Sequence, residues 1–289
     1  MSEAAVRGKS QWKSVWIRFR KSTISLMGLS MLAALLLISG SAGIWIDYES
    51  QAIQHNMKQR LQHPSAEHFF GTDQFGRDVF ARVVFGARIS LLVGILTITL
   101  SLAIGSVIGS IAGYYGGRVG NLLMRMMDVL LSIPAILMAI SIVAALGNGM
   151  FNLIIALTVS GVPRFAYIVR SIVLTIKNQE FVEAAKAYGS SNSRIILRHV
   201  LPNAIGPIVV QATTNMANSI LLISSLSFVG LGMPSSTPEW GSMLSDAKQY
   251  MRHNPYLILF PGMAIVTAVM ALNLIGDGLR DALDPKLRN

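Results

Sequence analysis

Five stretches of this chain carry no charged residue: 22–46, 89–117, 129–163, 203–238 and 254–276. A helix needs roughly 20 apolar residues to cross a bilayer, so each stretch is long enough to span one. The third is too long for one helix, and Gly147-Asn148-Gly149 supplies a turn inside it. The pattern predicts an all-α membrane protein with six transmembrane helices near 23–46, 87–113, 122–146, 150–173, 205–231 and 255–276. The first run follows a basic tail and precedes small residues, as a signal peptide does. It is longer than the roughly 7–15-residue apolar core of a cleavable signal, so it reads as a retained anchor.

Composition agrees with the pattern. Hydrophobic residues make up 52% of the chain and charged residues only 13%, against about 25% charged in soluble domains. The absence of cysteine excludes disulfides and thiolate metal sites. A net charge of +10 fits either nucleic acid or a membrane surface as partner, and its distribution separates the two. Arg7, Lys9, Lys13, Arg18, Arg20 and Lys21 crowd the first 21 residues, and Arg164, Arg170, Lys177, Lys186, Arg194 and Arg198 crowd 164–198. Six spans put both groups on one side, whereas 47–88 and 235–253 are balanced in charge. The excess is thus an orientation signal that predicts N- and C-termini in the cytoplasm, and not a nucleic-acid footprint. The chain divides into a basic tail at 1–22, a first transmembrane helix at 23–46, an extracytoplasmic cap at 47–86 and a core at 87–289. That core holds five transmembrane helices and a cytoplasmic loop at 177–204.

Candidate chemistry is sparse. Gly8-Lys9-Ser10 echoes the end of a phosphate loop, but Glu3 stands where that motif needs glycine. The chain therefore reads as having no nucleotide site of its own. His63, Glu67 and His68 lack metal-ligand spacing and read as a solvated loop. Asp73, Arg77, Asp78 and Arg82 read as ion pairs within the cap, with Arg82 four residues from Asp78. Gly105, Gly109 and Gly113 form a small-residue stripe suited to close helix packing. Thr214, Asn215 and Asn218 either line a pore or hydrogen-bond between helices, the latter being the commoner use of such amides. An ion-coupled carrier would place ionisable groups near mid-membrane. A membrane enzyme would need a titratable cluster. Neither pattern is evident: no charged residue reads as lying well inside a span, and no catalytic residue is assigned.

The cytoplasmic loop is the most informative segment. Phe181, Ala184, Ala185 and Tyr188 recur at helical spacing, and Gly189 suits a helix C-terminus. Ser190 to Ser193 offer N-caps for a second short helix, which Pro202 is expected to end. By pattern alone the segment is either a rigid knob that receives force from a soluble motor or a connector resting on the membrane.

Its residues carry a specific resemblance. Glu183-Ala184-Ala185, Gly189, Leu201 and Pro202, at these spacings, resemble the EAA signature of ABC importer permeases. His199 departs from the usual isoleucine in the manner of the peptide and nickel branch, and 70–91, 237–244 and 273–285 resemble that branch as well. The resemblance covers about residues 10–289 and is nearest to the second permease of dipeptide and oligopeptide importers, with nickel and glutathione relatives. It implies a type I (MetI-like) importer fold in a bacterial inner membrane, with Glu183, Ala184, Ala185, Tyr188, Gly189, His199, Leu201 and Pro202 coupling the chain to ATPases. It further implies a homologous permease as the other half of the pore, two ATPase subunits that bind the ATP and Mg, and an extracytoplasmic substrate-binding protein. The cargo is a peptide, glutathione, nickel or a similar solute.

Overall fold

The computed structural model describes residues 13–283. Gly8-Lys9-Ser10, Arg7 and the segment after 283 lie outside the described residues. Those described are helical, with no strand beyond an isolated Thr72–Asp78 bridge.

Helix α1 (Thr23–Trp45) is capped by Ser22, whose hydroxyl accepts from the Ser25 N–H. It is apolar on nearly every side, and within this chain only Ser25, Gly28, Ser39 and Ala42 are buried. A helix hydrophobic all round is stable where lipid covers it. α1 packs mainly on α10 (Tyr256–Leu283), and Arg18 reaches the Ala282 carbonyl oxygen at its inner end. At the outer end Arg88 donates to the carbonyl oxygens of Ser39 and Gly40.

The polar segment after α1 folds over the outer end of the bundle. Tyr256 donates to the Thr72 carbonyl oxygen at 3.0 Å, and Phe70 stacks on Phe260 with ring centroids 3.8 Å apart. Helix α2 (Val79–Tyr115) starts eight residues before the expected 87, because Asp78 caps it by accepting from the Ala81 N–H. Charged residues in its first turns had disguised them as cap. At 1.5 Å per residue, its 37 residues extend about 55 Å, beyond the hydrocarbon core.

The span expected at 122–146 is two helices. α3 (Gly117–Leu131) and α4 (Ala135–Leu146) meet at 82°. Pro134 lies at the break; it lacks an N–H for the helical ladder and steers the residue before it away from helical backbone. Gly147-Asn148-Gly149 turns the chain into α5 (Met150–Ile176), as the pattern predicts. Asn152 closes that turn through bonds to the Leu146 and Gly147 carbonyl oxygens.

α2 and α5 make the most extensive helix contact in the bundle. The stripe of Gly105, Gly109 and Gly113 produces it: a Cβ on Gly109 would stand 2.4 Å from the Ala166 carbonyl oxygen. Beyond the inner loop, α8 (Leu201–Val229) packs against α2, α5 and α10. The short α9 (Trp240–Ala247) plugs the outer end. Trp240 is fully buried there and donates its Nε1–H to the Val83 carbonyl oxygen at 2.9 Å.

Candidate functional site

The inner loop begins with α6 (Glu180–Ala187). Its Val182 and Ala185 are buried with Val173 and Ile176 of α5 and with Ile195 and Val200 beyond. Its other side is bare: Phe181 and Ala184 are exposed, and Tyr188 is 90% exposed. The face inferred from helical spacing is therefore split, because Ala185 belongs to the buried side. Large apolar and aromatic groups held in water by a buried anchor make a surface ready for a protein partner.

Gly189 ends α6 with φ +73°, and a pair of hydrogen bonds closes the turn. Its N–H bonds the Lys186 carbonyl oxygen, and the Ser190 N–H bonds that of Ala185, the double closure of a Schellman end. Lys177 holds the loop to α2 through the Gly113 carbonyl oxygen, and Tyr114 donates to Asn192 Oδ1 at 3.0 Å. The knob is thus tied to both α2 and α5.

Past the turn, α7 (Asn192–Ile195) does not stop at Pro202. It continues through a π turn (Ile196–Val200) into α8, with the Leu201 N–H reaching the Ile196 carbonyl oxygen. A π turn leaves one carbonyl without a helical donor, so the missing N–H of Pro202 falls where the ladder already skips a partner. His199 is half-buried within that turn, and its carbonyl oxygen accepts from Asn203 Nδ2 at 2.6 Å. Glu183 is exposed on α6, and Pro202 is exposed beside half-buried Leu201. The knob and α8 consequently share one continuous backbone.

The second feature is a cavity of about 100 Å³ between α2, α4, α5 and α8, with a largely apolar wall that carries several polar groups. Those groups belong to Thr97, Ser101, Ser160, Arg164, Asn215, Asn218 and Ser219. Asn215 is buried and bonds the Gln211 carbonyl oxygen, whereas Asn218 is exposed. Thr214 points elsewhere: its hydroxyl bonds the Val210 carbonyl oxygen and packs against Gly276 of α10. Below this cavity, toward the knob, a larger space of about 700 Å³ separates α5, α8 and α10, with Tyr167, Ser171, Gln211 and Arg280 on its wall.

Arg164 corrects the charge reading of the sequence. It does not belong to the inner loop but lies midway along α5, with Arg170 also inside the helix. The statement that no charge sits well inside a span is therefore overturned. Arg164 borders a cavity whose wall includes hydroxyls and amides, the kind of surface toward which an ionisable group within a span turns. The signal was present in the sequence: the turn at 147–149 fixes where α5 starts, and a spanning length from there passes Arg164.

The outer cap is also less solvated than expected. Asp73 pairs with Arg77 at 2.6 Å and with Arg82 at 3.7 Å, and both arginines are 1% exposed. Asp78 caps α2 and contacts His68 Nδ1 at 2.8 Å, so it is not the partner of Arg82. His68 is accordingly a partly buried contact and not a solvated side chain. His63 lies 5.6 Å from the Tyr256 ring.

The chain is similar to known proteins in sequence and in fold. Residues 105–289 match the family described as the binding-protein-dependent transport system inner membrane component, and 10–64 match the N-terminal TM domain of oligopeptide transport permease C. The dipeptide transport system permease protein DppC of Alkalihalophilus pseudofirmus is 45% identical over 97% of this chain and 91% of its own length. The glutathione transport system permease protein GsiD of Shigella flexneri is 44% identical over 97% of this chain and 92% of its own. An inward-facing structure of the MetNI methionine ABC transporter superposes with a TM-score of 0.59 at 21% identity, over 70% of this chain and 96% of that one, which establishes a common fold. With a type I importer fold and relatives of this similarity along nearly its whole length, the chain belongs to the inner-membrane components of binding-protein-dependent transport systems, as a multi-pass, non-enzymatic permease subunit of an ABC importer.

Proposed function

We propose that this chain forms one half of a translocation pore for peptide-like solutes, that a homologous permease forms the other half, and that two ATPase subunits drive the pair. ATP and Mg²⁺ belong to those ATPases. The cargo class follows the named relatives, a dipeptide and a glutathione transport permease, so peptide chemistry is preferred over the metal.

One observation carries the coupling role. α6 exposes Phe181, Ala184 and Tyr188 while Val182 and Ala185 lock it to α5 and the start of α8. A partner that moves α6 moves two spans with it, because the backbone from α7 to α8 is unbroken. Rigid-body rocking between two states, biased by nucleotide in the partner, is the mechanism this geometry suits. The end carrying α6 also carries Arg18, Arg20, Lys21, Lys186, Arg194 and Arg198. That excess favours the cytoplasm for α6 and both termini, leaving segments 47–78 and 230–255 outside to receive the substrate-binding protein.

The test is Ala184→Arg, which places a long cation on the exposed face and leaves the anchor alone. Co-purification of the ATPase subunits is expected to fall about tenfold or more, the equivalent of at least about 1.4 kcal/mol of docking energy, with membrane insertion intact. Undiminished co-purification and uptake would remove α6 from the coupling role.

A further inference from the structure

We propose that Arg164 is the cation of the transport pathway and receives an anionic group of the cargo, the carboxylate that peptides carry. The proposal rests on the reading of the chain as half of a peptide pore. Four observations support it.

Arg164 stands midway along α5, where an ionisable group in a membrane is costly and is kept for function or pairing. Among the described residues it has no ion pair or hydrogen bond, and its side chain is exposed. The cavity it faces contains hydroxyls and amides but no carboxylate. One lining residue, Thr97, has a buried hydroxyl with no partner among the described residues. A guanidinium presents donors in a fork that matches a carboxylate, and Asn218 is an exposed amide lining the same cavity.

The nearby acid does not complete the site. One helical turn along α5, Tyr167 donates to Asp128 of α3, which forms no ion pair with Arg164. Arg280 borders the separate, larger space between α5, α8 and α10, so a second cation stands nearer the end that carries α6.

The absence of cysteine makes the test direct. Asn218→Cys gives this chain a single thiol in the proposed pathway. In the assembled transporter, with its ATPases and second permease, that thiol is labelled by a sulfonate-bearing thiosulfonate and, separately, by a trimethylammonium-bearing one, with modification of this chain read by mass spectrometry. The anionic reagent is expected to react faster relative to its rate with a free thiol. Arg164→Gln in the same background is expected to lower the anionic-to-cationic ratio about tenfold, and Arg164→Lys to restore most of it. A ratio unchanged by Arg164→Gln, or a thiol that neither reagent reaches, would overturn the proposal. So would failure of the Arg164→Gln chain to hold its second permease, since Arg164 would then be an interface contact. ATPase co-purification from the same samples reports on the α6 reading separately, so the loss of one conclusion is distinguishable from the loss of the other.

Discussion

Arg77 and Arg82 donate to the same oxygen: Nη1 of Arg77 lies 2.8 Å, and Nη2 of Arg82 2.9 Å, from the carbonyl oxygen of Ser235. Two guanidiniums converging on one acceptor repel each other, and Asp73 between them supplies the compensating charge. The cluster joins the cap, the start of α2 and the segment after α8, which are otherwise far apart in sequence.

Its members are expected to be unequal. Asp73 pairs with both arginines and also accepts the N–H groups of Phe75 and Arg77. Asp246 pairs with Arg77 alone, at 3.6 Å, and accepts the Ser235 hydroxyl. Breaking a buried pair costs about 3–5 kcal/mol, so Asp73→Asn is expected to lower the Tm of the detergent-solubilised complex well below that of Asp246→Asn. Equal losses would show that the arginines are held by Ser235 alone.

Glu239 gives the outer plug a pH dependence. It is fully buried, and its two oxygens accept the N–H groups of Gly241 and Ser242, each at 2.8 Å. Desolvation pushes its carboxyl up, against smaller downward pulls from hydrogen bonds with Gly241, Ser227, Ser242 and Ser90. The folded chain therefore binds this proton more tightly than the unfolded chain does. Stability is expected to fall as pH rises from the ordinary carboxylate range through the raised value. Glu239→Gln should cost about 1 kcal/mol as a weakened cap and flatten this part of a Tm-against-pH curve. An equally steep curve in the variant would assign the dependence to another group.

The α2–α5 contact depends on the absence of a side chain at Gly109. A leucine there would drive into the Ala166 carbonyl oxygen and the Arg170 backbone nitrogen. Overpacking of this kind costs about 1–3 kcal/mol, so Gly109→Leu is expected to reduce thermal stability and yield, while the same change at Gly262, which has open space around it, leaves both unchanged.

The two sides of α6 are expected to separate stability from coupling. Tyr188→Ala, at a largely exposed site, should move stability by no more than about 0.5 kcal/mol while weakening ATPase attachment. Val182→Asp places a charge in the anchor between α5 and α8 and should lower Tm before any effect on docking can be read. A stable Val182→Asp chain would show that α6 is not anchored as described.

Gly189→Val tests the turn. A β-branched residue at φ +73° is strained by about 1–3 kcal/mol, and the double closure at Ala185 and Lys186 is expected to open. Uptake should fall with insertion unchanged; uptake equal to the parent's would mean the turn need not keep its shape.

Much of this protein is fixed by short-range pattern. Uncharged runs alone locate α1, α8 and most of α10, because a bilayer demands apolar length whatever the neighbours are. The turn at Gly147-Asn148-Gly149 and the Schellman end at Gly189 are equally local, since each depends on backbone conformations that glycine adopts easily. The glycine stripe of α2 announces a close contact, and the residues of the EAA loop announce its kind. Tertiary structure decided the rest. Only packing tells Ala185 from Ala184, because both fit the helical spacing and the neighbours determine which one is buried. The partner of Arg82 is Asp73, not the Asp78 that sequence spacing suggested, because α2 begins at Val79 and Asp78 is used as its cap. Arg164 reads as a loop cation from charge counting, and it is a mid-span group because α5 runs on to Ile176 and brings it to the rim of a cavity shared with α2, α4 and α8. Charge and periodicity act along the chain, whereas burial, pairing and cavity depend on residues brought together from many turns away.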